Sequence, residues 1–382
     1  MKIKNIELRM KKALVLISIL AYLQIGTLAA QTVKSADDSL KHKIAQMLLI
    51  GFRGTELKPT MPIYKDIKEL GIGGVILFDF DSPTRTRGRN IASPRQLKSL
   101  VASLKAIASV PLLVTIDQEG GMVNRLRPAY GFPPTVTAKH QGRINNPDTT
   151  AKYARATAKL LHELGFNLNF APVVDVDVNP NCPIIGKFGR SFSADPQVVI
   201  DNARIWLIEQ KKQGVIGCIK HFPGHGSATG DTHLGMVDVT HTWIEEELEP
   251  YRVLIAEGIV DVVMTAHVFN AKLDKEYPAT MSKKTITGIL REQMGFNGVV
   301  VTDDLAMDAM VKHYSFDEIL LKAIEAGADI LCLSNNGREV YDPNIARKAF
   351  DSIYKAVKAG KISPERIDES YRRIMKLKEK MQ

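Results

Sequence analysis

The 382-residue chain is 45% hydrophobic and 24% charged, with a mean hydropathy of −0.07, which excludes a disordered polymer and supplies enough apolar side chains for one large core. Its formal net charge of +9 is concentrated at the start, where residues 1–30 hold five basic side chains and one acid, and the rest is too diffuse for a nucleic-acid footprint. Cys182, Cys218 and Cys332 have no CxxC spacing and form no disulfide framework; two of them sit inside apolar runs as buried thiols.

In chain order, Lys2, Lys4, Arg9, Lys11 and Lys12 precede an apolar stretch from Ala13 to Leu28 and a "TLAA" ending, the layout of a secretory signal peptide over residues 1–30 with cleavage near Ala30. A membrane anchor is the alternative, but the apolar stretch is 16 residues long and contains Gln24 and Gly26, short for a span. The expectation is a periplasmic or secreted protein, residues 31–382, with no stable membrane insertion after leader removal.

Eight apolar runs of strand length follow: 46–52, 73–78, 111–117, 168–176, 214–221, 260–267, 298–304 and 328–334. Near-continuous hydrophobicity means strands covered on both faces, hence a parallel sheet with helical crossovers. Helix starts are signalled by Ser93-Pro94, Asn146-Pro147, Asp195-Pro196, Ser282 and Ser363-Pro364. The pattern predicts an α/β protein, a single (β/α)8 TIM-type barrel with no second α/β sandwich domain. A doubly wound open sheet is the alternative, but it would carry a glycine-rich phosphate fingerprint after the first strand, and "GFRGTEL" is not one.

Barrel enzymes carry their chemistry at the C-terminal strand ends. Polar residues mark those ends here: Asp117 and Glu119, Asp175 and Asp177, Lys220 and His221, His267, Asp303 and Asp304, Asn335 and Asn336. The fifth strand runs into "IKHFPGHGSATGDTHLGM", in which glycines and Pro223 break regular structure to hold three histidines, an aspartate and a lysine in one loop. His221 and His225 have the i, i+4 spacing of zinc ligands, with Asp231 and His233 as further donors; Pro223 and Gly224 prevent the helix that gives the spacing its meaning, so no metal and no cofactor is expected.

The segments "LLVTIDQEGGMVNRL", "NFAPVVDVD", "GRSF", "IKHFPGHG…GDTHLG" and "VVVTDDLAMDAM", in that order, resemble glycoside hydrolase family 3, in its β-N-acetylglucosaminidase branch. The resemblance implies a retaining exo-β-N-acetylglucosaminidase, a β-N-acetylhexosaminidase acting on terminal β-GlcNAc of peptidoglycan- or chitin-derived carbohydrate. It implies Asp303 as nucleophile, His233 as proton donor with Asp231 behind it, and Asp117, Arg125, Arg190, Lys220 and His221 as sugar contacts. Asp304 reads as a structural neighbour, and Glu119, Asp175 and His225 as scaffold. "DFDSPTRTRGRNIAS" after the second strand is longer and more basic than the family pattern, so the rim on the aglycone side is expected to differ. Alternatives in the same fold are a phosphorylase, since a histidine does not repel phosphate, and a broad β-glycosidase; the GDTH loop argues against a glucosidase or xylosidase. An inactive carbohydrate-binding barrel is the non-enzymatic alternative.

Overall fold

The computed structural model describes residues 37–337 and 341–381, so the leader expected over 1–30 lies outside them. The chain divides after residue 43. In the first unit residues 37–43 are helical; every element below belongs to the second, residues 44–382. No helix among the described residues is long and apolar enough to cross a membrane.

The second unit is built on eight parallel strands: β1 Leu48–Gly51, β2 Gly74–Ile76, β3 Leu113–Ile116, β4 Leu168–Asn169, β5 Ile216–Phe222, β6 Val262–Thr265, β7 Val299–Val301 and β8 Leu331–Leu333. They lie side by side in the order β7-β6-β5-β4-β3-β2-β1-β8. The two outermost strands meet through a parallel bridge between Val301 and Ile330, which brings the sheet round on itself. Seven of the strands fall inside the apolar runs, and β5 extends one residue beyond its run, to Phe222. Every strand residue is buried, as near-continuous hydrophobicity requires.

The fourth run is the exception in length. Its regular ladder ends at Asn169, Phe170 and Ala171 still bond to the neighbouring strands, and beyond Pro172, which has no N–H to give, the pairing is a bridge from Val173 to Lys220.

Four of the helices on which the site's placement depends begin at the signalled caps. In α1 (Pro94–Ile107), α2 (Pro147–Leu164) and α3 (Pro196–Lys212), the side chains of Ser93, Asn146 and Asp195 accept from the N–H of Gln96, Thr149 and Gln197. A shorter helix, α4 (Glu249–Ala256), precedes β6. The last, α5 (Pro364–Lys378), is capped by Ser363, which accepts from Arg366. Ser282 likewise accepts from the N–H of Thr285, but the helix there, Lys284–Gln293, winds in wider π turns.

Candidate active site

The strand ends open into a cavity of about 650 Å³ lined by Asp117, Arg125, His233, Asp303 and Asp304, over apolar walls that include Phe78, Phe170 and Met264. Asp117 directly follows β3, Asp303 stands two residues past β7, and His233 arrives on the loop after β5. Carboxylates from two strand ends and an imidazole from a third loop therefore face one space.

Asp303 accepts the N–H of Asp304 at 2.8 Å. Burial works to raise its carboxyl, but the neighbouring imidazoles of His267, His221 and His233, with the N–H of Asp304, hold it below its ordinary value. It stays ionised at neutral pH, as an attacking carboxylate must. Asp304 has the opposite character: burial raises its carboxyl, while its oxygens accept from the N–H groups of Ala306 and Ser334 and from the Ser334 hydroxyl. It anchors the turn, as the sequence reading expected of it.

His233 receives its Asp231 partner twice, through Nδ1 at 2.7 Å and through its own backbone N–H at 2.8 Å to the same oxygen. Partial burial works against the charged ring, but Asp231 and Asp303 outweigh it and raise its pKa. Its side chain remains 59% exposed over the cavity. The bond at Nδ1 leaves Nε2 as the atom that can present a proton to a ligand.

The remaining expected sugar contacts form a row beside the cavity. Lys220 Nζ bridges Asp117 (2.8 Å) and Glu119 (2.7 Å), and Arg190 holds both oxygens of Glu119 at 2.7 and 2.8 Å. Arg190 Nη2 also lies 3.2 Å from His221 Nε2. A guanidinium only donates, so Nε2 is the acceptor and His221 is the neutral tautomer whose Nδ1–H donates to Asp175 at 2.7 Å. Burial would raise Glu119, but Arg190 and Lys220 bring it down to about 2. Lys220 keeps its proton because Asp117 and Glu119 outweigh its burial. Arg125 reaches Asp117 at 3.4 Å from the cavity side. Asp117 and Arg125 thus touch the cavity directly, whereas Lys220 stands behind Asp117 and holds it, and Arg190 and His221 stand further back, joined to Lys220 through Glu119.

His225 is buried beside His221, ring centroids 6.0 Å apart, and burial pushes its imidazole down to about 4. Both nitrogens of His221 are engaged by Asp175 and Arg190. Among the described residues no three His, Cys, Asp or Glu side chains gather as a metal set. Sequence reasoning passed over the apolar walls, which looked like ordinary core; Arg85, in the basic segment after the second strand, also lines the cavity.

Residues 39–377 match the glycosyl hydrolase family 3 N terminal domain. The chain belongs to glycosyl hydrolase family 3. Among its relatives, a beta-hexosaminidase of Tolumonas auensis is 37% identical over 270 residues, covering 69% of this chain and 76% of the relative. The solved structure of a glycoside hydrolase family 3 beta-N-acetylglucosaminidase from Paenibacillus superposes with a TM-score of 0.79 at 37% identity, covering 89% of this chain and 62% of that one. The crystal structure of a beta-N-acetylhexosaminidase from Beutenbergia cavernae superposes with a TM-score of 0.78 at 30% identity, covering 89% and 98%. The eight-stranded sheet described above is the family 3 N-terminal domain in this chain.

Proposed function

We propose that this family 3 chain is a β-N-acetylhexosaminidase that removes terminal β-GlcNAc from glycan fragments with retention of configuration. The observation that carries the reading is the pairing across one cavity of an ionised strand-end carboxylate, Asp303, with an imidazole, His233, that is backed by Asp231. The named relatives support the sugar.

In the first step Asp303 attacks the anomeric carbon and the bond to the leaving oxygen breaks, while His233 Nε2–H gives that oxygen its proton. The products are a glycosyl ester on Asp303 and a free aglycone alcohol. Neutral His233 then takes a proton from water as the water attacks the anomeric carbon and its bond to the Asp303 oxygen breaks, which releases the sugar with retained configuration and returns Asp303 as a carboxylate. Asp117, fixed by Lys220 and Arg125, accepts from sugar hydroxyls in this reading. Every group the chemistry uses lies on a barrel loop or strand end. The leader-like residues 1–30 make the periplasm or the exterior the proposed place of action.

Two substrates test the mechanism. On a GlcNAc disaccharide His233→Ala loses on the order of 10²–10⁴ in kcat, whereas a dinitrophenyl glycoside, whose leaving group departs without a proton, loses far less. Asp303→Asn is inactive on both, and a slow fluoro-sugar substrate labels Asp303 in the parent enzyme. A label on Asp304, or equal losses on the two substrates for His233→Ala, overturns the assignment. Sugar 1-phosphate formed when phosphate is added converts the reading to phosphorolysis.

A further inference from the structure

The loop that carries His233 leaves β5 through Gly224, Gly226 and Ser227, and this root is pressed against buried groups on two sides. A Cβ on Gly226 would stand 1.7 Å from the carbonyl oxygen of Val176. Gly224 has φ +114°, and a Cβ there would meet Glu247 Cβ at 2.6 Å. Neither position accepts a side chain, so the backbone itself touches its supports.

Two carboxylates hold the root by its backbone. Asp175 Oδ1 accepts the N–H groups of His221 (3.1 Å) and His225 (2.9 Å). Glu247 Oε2 takes the next two, from Gly226 (3.0 Å) and Ser227 (3.3 Å). Asp175 also orients the His221 ring and so serves two ends of the site. Glu247 contacts the loop root without touching any residue assigned to sugar or chemistry.

Glu247 is completely buried, and its Oε1 has no hydrogen-bond partner among the described residues. A carboxyl in such a place is costly, and glutamine or an apolar side chain would fill the volume at less cost. Burial, with the carboxylate of Asp175 adding to it, pushes Glu247 up to about 7, against the smaller opposing effect of the loop's donors. The buried Tyr251 hydroxyl and the Asp175 carboxylate are the other ionisable groups coupled to it. What the group gains in return is a pair of successive backbone bonds at the hinge of the acid loop.

Past Ser227 the loop is held more sparsely. Asn179 Nδ2 donates to Ala228 O at 2.9 Å, the Ala309 N–H to Thr232 O at 3.2 Å, and Lys312 Nζ to Leu234 O at 3.3 Å. A change of angle at the root is carried directly to His233, six residues on.

We infer that Glu247 is a positioning residue for proton transfer: its Oε2, through the N–H groups of Gly226 and Ser227, fixes the loop so that His233 Nε2 meets the leaving oxygen. The inference rests on His233 being the general acid.

The test compares Glu247→Gln and Glu247→Asp with the parent enzyme and with His233→Ala, on a GlcNAc disaccharide and on the dinitrophenyl glycoside, with thermal unfolding followed for each. Glutamine keeps an acceptor oxygen where Oε2 sits; aspartate keeps the charge but withdraws it by one methylene. Glu247→Asp is expected to lose about tenfold to a hundredfold in kcat on the disaccharide, since displacement of a catalytic group by about 1 Å costs that much, with KM nearly unchanged and the dinitrophenyl rate almost intact. Glu247→Gln stays close to the parent on both substrates. The inference is overturned if Glu247→Asp loses equally on both substrates or loses nothing, or if Glu247→Gln falls as far as Glu247→Asp. If His233→Ala itself fails to separate the two substrates, the acid assignment falls, and the positioning role falls with it for that distinct reason. An aspartate variant that does not fold leaves the decision to Glu247→Gln, whose disaccharide-to-aryl rate ratio must equal the parent's.

Discussion

At the scale of the residue, the Asp231–His233 pair makes a prediction whose sign follows from its geometry. Partial burial lowers the imidazole pKa, the bond from Asp231 and the field of Asp303 raise it, and the raising side prevails. The acid must be protonated in the free enzyme, so its pKa appears as the basic limb of the kcat/KM profile. Asp231→Ala removes the strongest raising interaction and moves that limb to lower pH, with a smaller loss of rate at its optimum than Asp303→Asn shows. A profile of kcat/KM against pH on the disaccharide checks it: an unmoved basic limb would mean that Asp231 only shapes the loop. The residues that face the cavity were legible in the sequence to differing degrees. Asp303 and His233 were marked by the resemblance to glycoside hydrolase family 3, and the structure brings both to one cavity. Glu247 was hidden, since it lies in the run "EEEL", which reads as a solvated acidic face, and its burial depends on where the loop after β5 comes to rest.

At the scale of the element, the basic insertion after β2 folds as a small hairpin, Phe80–Asp81 paired with Thr86–Arg87. Asp81 is buried and is gripped by Arg53 at 2.6 and 2.9 Å, by Arg89 at 2.8 Å and by the N–H and hydroxyl of Thr84. Burial would raise its carboxyl, but these donors hold it far below the usual carboxylate range. Arg87 and Arg127 converge on Asp79 at 2.8 and 2.6 Å. Four guanidinium groups thus share two carboxylates, and the wall carries an excess of positive charge. Arg85, at the turn of the hairpin with φ +54°, lines the cavity and pairs with no carboxylate among the described residues. The sequence showed the cluster "RTRGR", but only the pairing tells which arginine is left over. A 4-carboxyphenyl β-GlcNAc substrate is therefore expected to lose about twofold to fivefold in kcat/KM with Arg85→Ala, the range of an exposed ion pair, while its neutral carboxamide counterpart is unchanged. The effect on the carboxylate shrinks as salt is added. Identical losses on the two aryl glycosides would show that Arg85 packs against the ring without reading its charge.

At the scale of the whole barrel unit, the sequence was most informative where burial is symmetrical. Strands covered on both faces must be apolar throughout, so all eight were visible as runs, and proline after a capping side chain marked four of the helix starts. Pairings between distant segments left no local signal: the two-residue strands Val237–Asp238 and Val268–Phe269 exist only because two loops meet. The closure at the bottom of the barrel is of the same kind. Lys378, near the end of α5, donates from Nζ to Gln46 Oε1 at 2.6 Å and to the carbonyl of Gly73 at 2.9 Å, tying the last helix to the segments that lead into β1 and β2. From the sequence it is one more lysine in a charged terminal helix.

That lysine gives the molecule a pH signature. Lys378 is 3% exposed, both acceptors are uncharged, and burial pushes its amine down to about 7 from an ordinary 10.5. Between those values the unfolded chain binds the proton and the folded chain does not, so the lysine's contribution to stability rises with pH across this window and is least favourable below it. Glu247 has the opposite slope, because its carboxyl is raised from 4.5 to about 7 and its contribution is lost as pH climbs through that lower range. Above neutrality Glu247 no longer contributes, and the buried cysteines, raised by burial, are common to parent and variant, so comparing the two isolates the lysine. Lys378→Met removes the titration and leaves Gln46 Oε1 without its lysine donor at every pH, a constant cost of about 1–3 kcal/mol, while the Gly73 carbonyl keeps the N–H of Leu113 at 3.1 Å. Urea unfolding at several pH values from 7 to 10 is expected to show the parent gaining stability over the variant as pH rises. Parallel curves would mean that Lys378 is charged in the folded barrel and that its two carbonyl-type acceptors suffice to keep it so.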